Sequence, residues 1–217
     1  MLFPLSDENP SRSRLVTTII IALNIAIFLF SLRDFEFTIL SFGFIPAYAS
    51  VLTAFTSMFL HGGLDHLFGN MWYLWIFGDN VEGVFGKVHY LLFYLASGFA
   101  AVGAHYFTNQ GSLIPTIGAS GAISGVLGAY LVLFPQAKIR VYNRYAGVAR
   151  TPAVNMLGLW FLVQLLFSAT SFLGETGSGI AFAAHAGGFA FGYAYAWVFK
   201  RIFPSRVPQD VPGDLYG

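Results

Sequence analysis

Mostly apolar stretches recur along the chain at roughly 15–32, 67–85, 88–107, 118–135, 154–172 and 181–199. Each is close to the about 20 residues with which a helix crosses a hydrocarbon core. The pattern predicts an all-α polytopic membrane protein, a bundle of six transmembrane helices. The first stretch, Leu15 to Leu32, exceeds the apolar core of a signal peptide and is followed by no small-residue cleavage site, so it reads as a retained span. The second is the most polar, carrying Asn70, Asp79, Asn80 and Glu82. Such groups inside a membrane turn toward the bundle interior, which makes this span a pointer to function. Between the first two spans, residues 33–66 are rich in Phe and Leu but broken by Pro46 and Gly62-Gly63 and charged at Arg33, Asp34, Glu36 and Asp65. That mixture suits a loop and short helix lying in the interface.

Composition strengthens the membrane reading: 56% of residues are hydrophobic and 10% charged, where a soluble domain carries about 25% charged residues. Mean hydropathy is +0.67. A net charge of +1 with no basic stripe argues against a nucleic-acid partner. With no cysteine, any covalent catalysis must use another residue, and neither a disulfide framework nor a thiolate metal site can form. No cofactor or metal is expected. The division that follows is an N-terminal tail over 1–14, a membrane domain over 15–203 and a short disordered C-terminal tail over 204–217, marked by Pro204, Pro208 and Pro212.

Six spans with both ends on one side would put Arg12, Arg14, Lys87, Lys138, Arg140, Arg144, Arg150, Lys200, Arg201 and Arg206 inside, leaving only Arg33 outside. By the positive-inside rule both termini are cytoplasmic. A lone six-span core with short tails suits a prokaryotic plasma (inner) membrane.

This topology gathers distant polar residues. Ser120 begins the fourth span, His185 lies near the start of the sixth, and His61, His66 and Asn70 lead into the second, so all converge at the outer ends of three helices. A hydroxyl, imidazoles and an amide brought together in an apolar protein are the ingredients of nucleophilic hydrolysis. Ser120 sits in Gly118-Ala119-Ser120-Gly121, at a helix start whose free N–H groups can receive an oxyanion. Small residues also mark close helix packing, so the string alone is weak. Ala184, Gly188 and Gly192 form a smooth face on the sixth span, and Gly121, Gly125 and Ala129 offer a matching one on the fourth. Packing of these faces would bring His185 to Ser120 as general base to nucleophile. His66 and Asn70, four apart, share a helix face and can both donate hydrogen bonds, whereas His61 is better suited to holding the loop. None of these spacings is a zinc motif.

His61-x4-His66-x3-Asn70, Gly118-Ala119-Ser120-Gly121 and Ala184-His185-x2-Gly188-x3-Gly192 resemble the three signatures of the rhomboid family of intramembrane serine proteases, in order and on the corresponding spans. The resemblance covers nearly the whole chain. It implies a Ser120–His185 dyad with no acidic third member, an oxyanion hole of Asn70, His66 and the Ser120 backbone N–H, and cleavage of transmembrane or juxtamembrane segments of membrane proteins. Glu82 and Gly86 match a family Glu-x3-Gly element of structural character. Two positions depart from the family pattern. No Trp-Arg pair precedes His61, and Ser124 stands where many members carry an aromatic residue that stacks on the histidine. Two other functions compete with proteolysis. A catalytically inactive rhomboid-like protein that binds membrane segments is disfavoured by intact Ser120 and His185. A small transporter would show inverted halves with broken helices, and the chain has no such symmetry.

Overall fold

The computed structural model describes residues 2–9, 13–143, 147–172 and 181–207, with backbone alone at 2 and over 168–172. Arg12, Arg144 and the C-terminal tail beyond Val207 lie outside the described residues. Eight α-helices appear in the order α1 (Leu15–Ser31), α2 (Phe35–Phe42), α3 (Val51–Thr56), α4 (Leu64–Phe85), α5 (Lys87–Thr108), α6 (Ser120–Leu133), α7 (Ala153–Phe172) and α8 (Phe182–Ile202). The six apolar stretches correspond to α1 and α4–α8, with ends within three residues of those expected. Among the described residues, α5 is the helix both long and apolar enough to cross a membrane by length and composition, and α1, α6 and Ala153–Phe167 of α7 are apolar but shorter.

Local chemistry explains several boundaries. Asp34 caps α2 by accepting from the Phe37 N–H at 3.1 Å, and Ser50 caps α3 by accepting from the Thr53 N–H at 3.1 Å. The interfacial stretch thus holds two short helices rather than one. Gly86, at φ +81°, lets the chain turn directly from α4 into α5. Lys200 and Arg201 occupy the last turn of α8, where cations favour the helix dipole.

The helix α6 is central, with Gly121 through Tyr130 all buried against α4, α5 and α8. An element enclosed on every side can be apolar all round, which is why it shows no amphipathic stripe. The polar residues of α4 turn inward as their cost in lipid demands: Asn70, Asp79, Asn80 and Glu82 are all buried. Glu82 ties α1 to α4. Its carboxylate accepts from Ser13 Oγ (2.6 Å), the N–H groups of Val16 (3.1 Å) and Thr17 (2.9 Å), and Thr17 Oγ1 (2.9 Å). It thereby satisfies donors at the start of α1 that helix geometry leaves open. Outward, α7 exposes Leu159, Leu162, Leu165 and Leu166, a surface suited to lipid rather than water.

The all-α expectation needs one correction. Strands β1 (Leu2–Asp7), β2 (Lys138–Asn143) and β3 (Gly147–Pro152) form an antiparallel sheet in the order β1-β2-β3. Ile139 and Val141 are buried while Lys138 and Arg140 between and beside them are exposed, the period of two expected of a half-buried strand. Of the charges that marked 136–153 as a basic loop, Lys138 and Arg140 lie on the outward face of β2 and Arg150 lies on β3. The expected N-terminal tail is also structured over residues 2–7. Asp7 accepts from Asn80 Nδ2 (2.5 Å) and the Tyr130 hydroxyl (2.9 Å), and Trp72 Nε1 donates to the Pro4 carbonyl at 2.8 Å. Burial raises the Asp7 carboxyl to about 6, with the charge of Asp79 adding and the Tyr130 hydrogen bond opposing.

Candidate active site

Between the N-terminal ends of α4, α6 and α8 and the neighbouring parts of α5 and α7 lies a cavity of about 950 Å³ lined by Ser120, His185, His66 and Asn70 among others. Ser120 is the first residue of α6, so its N–H belongs to the helix start and has no intrahelical acceptor. Three contacts hold the approach to it. Phe44 and Thr116 exchange backbone hydrogen bonds of 3.0 and 2.8 Å, Thr116 Oγ1 meets His105 Nε2 at 2.7 Å, and the Gly118 N–H donates to the Ser57 carbonyl at 2.9 Å. Gly118 has φ +127°, and a β-carbon there would lie 2.9 Å from His66 Nε2. Glycine is therefore required both by the backbone and by the imidazole that sits against it.

His185 Nε2 and Ser120 Oγ are 2.8 Å apart. The approach depends on the contact of α6 with α8: β-carbons at Gly188 and Gly192 would collide with the carbonyl oxygens of Gly121 and Gly125. The small-residue faces read from sequence meet. Gly128, outside the expected set, also faces the α8 backbone, at Phe189.

On α4, His66 and Asn70 both line the cavity. The Gly62 N–H donates to His66 Nδ1 at 3.3 Å, so the proton of the neutral ring resides on Nε2, the nitrogen beside Gly118. Asn70 Nδ2 is buried with no hydrogen-bond partner, a donor left free beside the Ser120–His185 pair. His61 lies in the loop before α4, buried, its ring 5.2 Å from that of His66 and edge-on to it. Burial and the neighbouring His66 lower it to about 4. His61 is thus a neutral packing element against His66.

Two neighbours of His185 escaped the sequence reading. Gln164 Oε1 lies 3.0 Å from His185 Nδ1, and the Trp160 ring lies 6.0 Å from the imidazole, inclined by 35°. Both come from α7. The available signal was a polar residue in the middle of an apolar span, which carries the same implication as the polar residues of α4. The Ser124 hydroxyl donates to the Ser120 carbonyl at 2.7 Å.

The class defined by these features is a helical bundle with an enclosed hydroxyl–imidazole pair facing free hydrogen-bond donors. The sequence pattern of the Rhomboid domain matches residues 48–202, and the chain belongs to the rhomboid family of membrane proteins. It is similar to the mitochondrial rhomboid protein 1 of Saccharomyces cerevisiae, at 32% identity over 64% of this chain and 39% of that protein. It is also similar to the mitochondrial presenilin-associated rhomboid-like protein A of Danio rerio, at 34% over 39% of this chain and 23% of that protein. Rhomboid protease GluP of Bacillus subtilis is 42% identical over 35% of this chain and 14% of that protein. The chain thus spans well under half the length of each relative. Mitochondrial and bacterial proteins both occur among them, so they lend no particular support to a prokaryotic plasma membrane.

Proposed function

We propose that the chain is an intramembrane serine endopeptidase that cleaves transmembrane or juxtamembrane segments of membrane proteins. The reading rests on the 2.8 Å approach of His185 Nε2 to Ser120 Oγ inside an apolar bundle. Ser120 Oγ attacks the scissile carbonyl while His185 Nε2 takes its proton, and the imidazolium then protonates the departing amine. Water resolves the acyl-enzyme by the same proton path in reverse. Charge developing on the carbonyl oxygen is received by Asn70 Nδ2, His66 Nε2–H and the Ser120 N–H. The vacancy of the Asn70 donor supports this assignment, since a buried amide group without a partner costs about 1–3 kcal/mol. No step calls for a metal or cofactor.

Six spans with both termini cytoplasmic accommodate this chemistry, with the site opening toward the outer ends of α4, α6 and α8. A substrate helix hides its carbonyls in its own hydrogen bonds, so segments with small or helix-breaking residues such as Ala, Gly or Ser near the cleavage point are the preferred class, Gly and Ser because they weaken the helix.

The test is incubation with a fluorophosphonate probe followed by peptide mapping. Labelling is expected at Ser120 and absent in Ser120→Ala and His185→Ala. Cleavage should be abolished in either variant, with the double variant little worse than either single, because members of a catalytic unit are strongly non-additive. Labelling elsewhere, or undiminished labelling of His185→Ala, would overturn the dyad, and a non-catalytic membrane-segment binder would show no labelling at all.

A further inference from the structure

We infer that Gln164 is the positioning residue of the dyad, its side-chain carbonyl holding His185 in the tautomer that can accept the Ser120 proton. The inference rests on the proteolytic reading above. A dyad histidine has a geometric difficulty: an imidazole tethered by two side-chain torsions must present Nε2, unprotonated, to the nucleophile. In Ser-His-Asp sites a buried carboxylate accepts from Nδ1–H and settles both the ring orientation and the tautomer. Among the described residues, no Asp or Glu lines the cavity near His185 except Asp65, at the exposed start of α4.

Gln164 fills that position. It is 8% exposed, and its Oε1 is 3.0 Å from His185 Nδ1 while Nε2 faces Ser120 Oγ at 2.8 Å. A carbonyl oxygen can only accept, so the hydrogen of the neutral ring is held on Nδ1 and the Nε2 lone pair is directed at the serine hydroxyl. Trp160, one turn earlier on the same face of α7, lies against the ring and restricts its rotation. The two contacts from α7 together supply what the aromatic residue absent at Ser124 does not. Ser124 offers no competing partner to the imidazole, because its hydroxyl is engaged with the Ser120 carbonyl. A neutral acceptor also suits the site: a carboxylate at the depth of Gln164 would place a net charge within the bundle.

The orientation effect and the electrostatic effect of a third member can therefore be separated by substitution. Gln164→Leu removes the acceptor at similar size. Gln164→Glu keeps the acceptor and adds a charge that favours the imidazolium. Among the described residues, the other titratable groups facing the cavity are Asp65, His66 and Tyr73, all of α4. These three groups are common to wild type and variant, so the shift is read as the difference between the two profiles.

The experiment measures the rate of fluorophosphonate labelling of Ser120 in detergent-solubilised protein as a function of probe concentration and pH, with thermal melting recorded for each variant. Gln164→Leu should lower the maximal labelling rate about tenfold, with little change in the probe concentration at half-saturation. Gln164→Glu should label within about threefold of wild type at the plateau, with the acid limb of its pH profile displaced upward by about one unit or more. A wild-type rate and profile for Gln164→Leu would overturn the inference. Should that variant melt early, Gln164→Glu decides, since a residue that merely packs would leave the acid limb unmoved. Ser120→Ala and His185→Ala run beside them keep the two hypotheses apart. Loss of labelling in both with none in Gln164→Leu refutes the role of Gln164 alone, whereas labelling of His185→Ala refutes the dyad itself.

Discussion

Gly188→Ala tests the mechanical basis of the site with the smallest possible perturbation. The new β-carbon would meet the Gly121 carbonyl oxygen, with the Gly121 carbonyl carbon at 3.1 Å and Ala101 Cβ at 3.3 Å. Its nearest neighbours are backbone, so they cannot swing aside as a flexible side chain would. Restoring ordinary contact of about 3.4 Å requires α6 and α8 to separate by roughly 1 Å at this point. Ser120 is adjacent to Gly121, and His185 lies one turn from Gly188, so most of that displacement reaches the dyad. Stretched by 1 Å, the 2.8 Å Ser120–His185 contact leaves the range of a hydrogen bond. Overpacking of this kind costs about 1–3 kcal/mol, and a 1 Å misplacement of reacting groups can cost about a hundredfold in rate. Fluorophosphonate labelling should therefore fall about a hundredfold with a lowered melting temperature, although neither catalytic residue is altered. Gly103→Ala in α5, where a β-carbon meets nothing within 4 Å, is the control and should retain labelling. Wild-type labelling with unchanged melting for Gly188→Ala would refute the argument that this backbone contact sets the dyad distance.

Three further outcomes are expected. Asn70→Ala should lower kcat by about 10²–10³ with a smaller effect on KM, because an oxyanion donor acts mainly in the transition state; steady-state cleavage of a transmembrane substrate checks it, and full kcat would move Asn70 to a structural role. Glu82→Ala should destabilise the fold by about 2–3 kcal/mol by stranding Ser13, Val16 and Thr17 donors, measured by denaturant or thermal unfolding in detergent. Asp7 makes stability depend on pH with a definite sign: its folded carboxyl titrates near 6, against 3.8 for the free group. The folded state therefore holds more proton between these values, so the contribution of Asp7 to stability is greatest below about 4 and declines as pH rises through about 6. Asp7→Asn should flatten that decline, and a wild-type slope in the variant would mean that another group titrates there.

The order and approximate limits of the long helices were legible in the sequence, because apolar runs of spanning length have few alternatives. So was the gathering of Ser120, His185, His66 and Asn70 at one end, which follows from counting alternating spans. The inward turn of Asn70, Asp79, Asn80 and Glu82 was legible for the same physical reason, the cost of a polar group in lipid. The β1-β2-β3 sheet was not, since its strand β2 is short and its exposed Lys138 and Arg140 read as loop until pairing with residues far off in sequence defines a buried face. Gln164 and Trp160 likewise became neighbours of His185 only through tertiary packing: Gln164 marks an inward face of α7, but nothing along the chain says which residue that face meets. Distances of 2.8 and 3.0 Å around one imidazole are set by how three helices seat against each other, and side-chain identity along the chain constrains that seating without stating it.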